Sequence, residues 1–112
     1  MQLDSDLHGD VALVRLSGDA MGGPDGAALL ERIHELRAKG AQNVVVDLQG
    51  VRHMNSSGLG MLIGALTSVR NAGGDLRLAA LGSRVQTLLS VTKLSDVFQA
   101  FETSDDALAS FA

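Results

Sequence analysis

Apolar positions along the chain change period several times, and each change predicts an element. Leu3 to Leu7 alternates with charged residues, and Val11-Ala-Leu-Val-Arg-Leu16 follows across His8-Gly-Asp10. Two short runs about a Gly–Asp turn predict an antiparallel hairpin whose first, weaker strand lies at a sheet edge. Gly18 is expected to end the second strand. After the irregular stretch Asp19-Ala-Met-Gly-Gly-Pro-Asp-Gly26, Pro24 can open a helix, because its missing N–H has no partner in a first turn anyway. Leu29, Leu30, Ile33 and Leu36 then recur at helical spacing, and Gly40 closes that helix.

Val44-Val-Val-Asp-Leu48 has three consecutive β-branched residues and no polar alternation, the pattern of a central strand covered on both faces. A tight loop turning at Gly50 is expected next, with Val51 and Met54 dipping back into the core. Asn55 suits a helix N-cap and leaves Ser56 and Ser57 in the first turn. Leu59, Leu62, Ile63 and Leu66 supply the buried face of that helix. Ser56, Gly60, Gly64 and Ser68 lie four apart, so one stripe of the same helix is almost bare of side chains. Glycine inside a helix costs roughly 1 kcal/mol relative to alanine. Either a neighbouring element of the domain packs closely on the stripe, or a partner or ligand does.

Asn71-Ala-Gly-Gly74 stops the helix, and Asp75 to Leu81 alternates as a fourth strand. Ser83 is read as the cap of a short helix with Val85, Leu88 and Leu89 inward. Leu94, Val97, Phe98 and Phe101 form an apolar segment that admits a short last strand. Ser104-Asp-Asp106 opens a terminal helix, its acidic residues placed where the helix dipole favours them. The order β-β-α-β-α-β-α-(β)-α predicts an α/β fold, a mixed sheet of four to five strands with about four helices packed mainly on one face.

Composition narrows the picture. A chain of 112 residues suits one domain spanning 1–112. Three Phe and no Tyr or Trp make the core aliphatic. The absence of Cys removes disulfides, zinc–thiolate sites and thiol chemistry. No apolar run approaches the roughly 18 residues of a membrane span, so no membrane insertion and a cytoplasmic location are expected. Nine basic against thirteen acidic residues give a net charge of −4, and no basic–aromatic patch suggests a nucleic-acid surface. Proteins or small ligands are the expected partners.

Candidate chemistry centres on Ser56 and Ser57, hydroxyls set where a buried strand feeds a helix. They could cap the helix, carry a phosphoryl group, or serve as a nucleophile. His53 precedes Ser56 by three residues, but a nucleophile–base pair needs an orienting third group and a pocket, and a surface histidine is the plainer reading. His34-Glu35 lacks the second His of a helical zinc site, and Gly22-Gly23 lacks the Lys-Ser/Thr of a phosphate-binding loop. No metal or cofactor is predicted.

An apolar strand ending in Asp47-Leu48-x-Gly-Val51, followed by Met54-Asn-Ser-Ser-Gly-Leu-Gly60 and, after a Gly-Gly break, a Leu-Arg-Leu strand, resembles the STAS domain. The likeness is to the single-domain anti-sigma factor antagonists of bacteria and runs nearly end to end. It implies a partner-switching module and not an enzyme. In that family the first serine of the pair accepts phosphate from ATP, transferred by an anti-sigma factor that is itself a serine kinase. The unphosphorylated antagonist captures the anti-sigma factor and frees the sigma factor, and a phosphatase resets the switch.

Carried onto this chain, the resemblance makes Ser56 the phosphoacceptor. The partner-binding set becomes Asn55, Ser56, Ser57, Gly58, Gly60, Met61 and Gly64, with Asp19 and Met21 from the loop after the second strand. Two positions depart from the family pattern. Asn55 stands where Asp usually precedes the serine, and Met21 stands where an acidic residue is common. The resemblance also admits a STAS subunit that is never phosphorylated, either an accessory of a lipid-transport ATPase or a scaffold in stress signalling. It leaves a monomer or a weak dimer open.

Overall fold

The computed structural model describes residues 1–112. Strands β1 (Gln2–His8) and β2 (Val11–Ala20) form the expected antiparallel hairpin about Gly9 and Asp10, with β1 at the sheet edge. Helix α1 (Pro24–Ala38) begins at the proline and leads to β3 (Asn43–Met54). Helix α2 (Ser56–Asn71), β4 (Leu76–Ala79), α3 (Ser83–Val91), β5 (Ala100–Phe101) and α4 (Ser104–Ala109) complete the chain. The sheet runs in the order β1-β2-β3-β4-β5, with β2 to β5 mutually parallel and β1 antiparallel to β2. Five strands and four helices in a mixed sheet are the predicted architecture.

The aliphatic core explains the order of the layers. Ala12, Val14, Leu16, Val44, Val46, Leu48, Leu76 and Leu78 face one way, into a cluster with Leu29 and Ile33 of α1, Leu62 and Leu66 of α2, and Val85 and Leu89 of α3. Each fully buried Leu or Ile contributes roughly 1.5–3 kcal/mol through removal of apolar area from water. The opposite face carries a smaller cluster of Val11, Leu13, Val45 and Ala79 against Ala107 and Leu108 of α4. The central strand is thus covered on both faces, as its run of valines requires. Arg77 ties down the C-terminus from this side: its guanidinium lies 4.0 Å above the Phe111 ring and donates to the Ser110 carbonyl at 2.8 Å.

Four local expectations are corrected. First, β2 does not end at Gly18, and second, Gly50 does not turn the chain after Leu48. The ladder continues through Ser17↔Gly50, Gly18↔Val51, Asp19↔His53 and Ala20↔Met54. Both glycines instead absorb irregularities in it. Gly18 holds φ 85, and a Cβ on Gly50 would sit 2.7 Å from the Ser17 Cβ, so this residue lets the strands approach at the bulge. Third, the N-cap of α3 is Gly82, not Ser83: the Gln86 N–H already bonds the Gly82 carbonyl at 3.0 Å, which makes Ser83 the first helical residue. Fourth, Leu94, Val97 and Phe98 reach the core from irregular backbone after a turn at Lys93 (φ 61), and only Ala100–Phe101 pair with β4.

Candidate functional site

The sequence Met54-Asn-Ser-Ser-Gly turns a strand into a helix within one residue. Asn55 is extended, and its Oδ1 accepts the Gly58 N–H at 2.8 Å while its carbonyl accepts the Leu59 N–H at 2.9 Å. This is the N-cap read from the sequence. Ser56 and Ser57 are the first two helical residues, and both are exposed. Their N–H groups have no acceptor within the helix, and no acidic residue occupies the first turn. The helix therefore ends in unopposed positive dipole beside two hydroxyls, a setting suited to an added anion.

Two glycines bring a second loop to this point. Gly58 is buried so tightly that a Cβ would overlap the Ala20 carbonyl oxygen and lie 3.0 Å from Met54 Cγ. Gly22, at φ 82, would place a Cβ 2.8 Å from the Ser57 Cβ and carbonyl group. The end of β2 and the loop after it thus touch the first turn of α2 backbone to backbone. Met21, 42% exposed, directly precedes Gly22 in that loop, and Asp19 stands one register step from the strand end, opposite His53. Gly22 was legible only as a turn glycine. Nothing in one-dimensional spacing says what a missing Cβ makes room for.

Asp19 is poorly satisfied. Its Oδ1 is buried without a hydrogen-bond partner, and the Arg52 guanidinium reaches it only at 3.9 Å. The side chain as a whole is 46% exposed, so its other oxygen is open to solvent or to a partner's donor. His53 is exposed, as expected, with its Nδ1 2.8 Å from an Arg84 guanidinium nitrogen, and no third group orients it toward Ser56.

The bare stripe of α2 faces solvent. Around the Cβ positions of Gly60 and Gly64 no atom of another element lies within 4 Å, which removes the reading in which another element of the domain packs there. Met61 corrects the partner-binding set: it is only 8% exposed and packs in the core between α2 and Gly26 of α1. Gly58 also lies beneath the surface and acts by position. The geometry brings Asp19, Met21, Asn55, Ser56 and Ser57 together at one end of α2 and continues them along Gly60 and Gly64.

A model of the STAS domain family matches residues 2–107. This chain is a STAS domain. Over 108 residues it is 23% identical to the anti-sigma F factor antagonist of Paenibacillus polymyxa, covering 96% of this chain and 92% of that one. The crystal structure of an anti-sigma factor antagonist from Mycobacterium paratuberculosis superposes with a TM-score of 0.78 at 26% identity, covering 97% and 92% of the two chains. The Bacillus cell fate determinant SpoIIAA in its phosphorylated form superposes at 0.75 with 15% identity, over 99% and 100%. The fold class and the family are thereby established for this STAS domain. No helix is long and apolar enough to cross a membrane.

The cap gives a direct test of the local geometry. Asn55→Ala is expected to lower stability by about 1 kcal/mol, because the Gly58 N–H loses its acceptor. Asn55→Asp keeps the acceptor, adds a negative charge at the helix N-terminus and should match or slightly exceed the native stability. Urea unfolding of the three proteins checks both.

Proposed function

We propose that this STAS domain, as one unit over residues 1–112, is an anti-sigma factor antagonist with Ser56 as its phosphoacceptor. It binds an anti-sigma factor with serine kinase activity through the end of α2, and so releases a sigma factor in the cytoplasm. A phosphatase that removes the phosphate restores binding. The observation that carries this reading is the exposed Ser56 at a capped, unopposed helix N-terminus, continuous with a solvent-facing stripe from which Gly60 and Gly64 remove the side chains.

The physical fit is good on both sides of the switch. Phosphate at Ser56 brings about −1.5 to −2 charges, which the free N–H groups of the first turn can accept without unfolding the domain. The protein is the substrate and the binder; the partner supplies ATP and the chemistry. Names of the relatives support the antagonist reading, and the phosphorylated form of SpoIIAA supports a modified state of the same fold.

The deciding experiment is a pull-down from the source cell with wild-type, Ser56→Ala and Ser56→Asp baits, followed by ATP. Capture of an anti-sigma kinase by the first two baits, and gain of one phosphate on the wild type alone, is the expected result. A captured kinase that binds but adds no phosphate removes the switch. Recovery of a transport ATPase or other STAS proteins, indifferent to residue 56, replaces the reading with that of a structural STAS subunit.

The stripe makes a separable prediction. Gly60→Ala and Gly64→Ala meet open space, so each is expected to raise stability by about 0.5–1 kcal/mol through helix propensity. The added methyl groups stand in the partner's path, and affinity for the captured kinase should fall about tenfold. Thermal unfolding and calorimetry read the two effects with opposite signs.

A further inference from the structure

Asp47 is the one charged residue buried in this protein, at 7% exposure. It stands on β3 between Val46 and Leu48, which face α2, and it turns to the α4 side with Val45. Its Oδ1 accepts the Gln49 N–H at 2.8 Å, at the kink where β3 carries one residue more than β2 between Arg15↔Asp47 and Ser17↔Gly50. An asparagine would make that bond equally well, so the kink gives no reason for a carboxylate. It forms no ion pair within the chain either. Arg15 is its cross-strand neighbour, but Asp6 at 2.9 Å and Asp4 at 3.2 Å hold that guanidinium. Hydrogen bonding to Asp6, above all, raises Arg15 beyond its ordinary basicity, a mark of that pairing. Buried carboxylates are ordinarily paired.

Asp47 lies where two adjoining hollows meet. They measure about 580 and 370 Å³ and share Asp47, Gln49 and Ser104 in their walls. The first extends to Asp4 and Ser17, the second to Glu102. Arg15 also lines the first hollow, ion-paired there with Asp4 at 3.2 Å, so the free carboxylates of the groove are Asp47 and, at the far end, Glu102, with neutral acceptors between them. No three His, Asp or Glu side chains converge to hold a metal ion. An ammonium or guanidinium group needs only a carboxylate and a few neutral oxygens, and each hollow has the size of a small-ligand site.

We propose that this groove binds a small organic cation carrying a primary ammonium or guanidinium group, with Asp47 as its buried anionic anchor and Gln49, Ser17 and Ser104 as further acceptors. The site lies on the face of the sheet opposite α2, so it stands or falls independently of the phosphoacceptor.

The test is an NMR titration of the ¹⁵N-labelled full chain with agmatine, which carries both cationic groups. Tetramethylammonium, of like charge but without N–H donors, is the control. Saturable shifts confined to the amides of Ser17, Asp47 to Gly50 and Glu102 to Ser104 are expected, with affinity at least tenfold weaker in Asp47→Asn. Because Asn preserves the Gln49 bond, that variant should fold. Should it not, Ser104→Arg offers a cation from the first residue of α4 and is expected to exclude agmatine. Shifts scattered over the acidic surface, an equal response to tetramethylammonium, or undiminished binding in the variants overturns the proposal. A response to a lysine-rich peptide but not to agmatine also overturns it, in favour of a protein partner.

Discussion

Ser56→Asp is expected to lose its anti-sigma partner by at least a hundredfold in Kd while keeping its fold. The serine is exposed at the first position of α2, beside the bare stripe, so a partner that covers the stripe also covers this side chain. Burying a charge that finds no counter-charge on the partner costs about 2–5 kcal/mol, and about 3 kcal/mol already exceeds a hundredfold. The helix dipole does not rescue the complex, because it stabilises the same anion in the free protein. That stabilisation is why the free variant should unfold within a few degrees of wild type. Ser56→Ala removes only a hydroxyl and should bind within about threefold of wild type, permanently in the unmodified state. Calorimetry against the captured kinase measures both. An aspartate variant that binds like wild type would remove Ser56 from the interface.

The departure at Asn55 sharpens that expectation. An acidic cap would place two negative charges in successive residues once Ser56 is modified. The amide cap keeps its bond to Gly58 and adds no repulsion, so the first turn of α2 is the more welcoming to phosphate. In the proposed switch, what a neighbouring carboxylate would contribute in orienting the hydroxyl toward a kinase would come from elsewhere. Asp19, on the adjoining strand end with one buried oxygen unsatisfied, is the acidic group in that neighbourhood.

How much of this was legible in the sequence differs by element. Periodicity located the first three helices, which carry apolar residues at helical spacing, whereas α4 was read from Ser104 and its acidic first turn. The valines at 44–46 declared the central strand, since only a strand buried on both faces accepts a run without polar relief. Strand ends were misread where partner strands, not side chains, decide. Gln49 to Met54 reads as a loop on its own, and becomes strand because Ser17 to Ala20 offers it a parallel ladder. The site was legible as a motif but not as a surface. Spacing placed Met61 beside Gly60, whereas three-dimensional packing turns one inward and leaves the other bare. The unpaired charge of Asp47 was invisible, because burial and the capture of Arg15 by Asp4 and Asp6 are properties of the folded sheet.

Gly58→Ala is expected to destabilise the domain by about 2 kcal/mol, lowering Tm by roughly 10 °C. Helix propensity alone predicts the opposite sign, because alanine exceeds glycine by about 1 kcal/mol. At Gly58 the new methyl group would overlap the Ala20 carbonyl, whose strand is fixed in the ladder by the Ala20↔Met54 pairing and cannot retreat. The helix must shift instead, and the shift moves Ser57 away from the Gly22 loop against which it is set, carrying Ser56 with it. Gly60→Ala, two residues on, meets nothing and should stabilise. Opposite signs for the same substitution in the same turn and a half of helix separate backbone contact from propensity. Equal signs would mean that α2 does not rest on the end of β2, and the joint surface of Asp19, Met21 and Ser56 would dissolve with that contact.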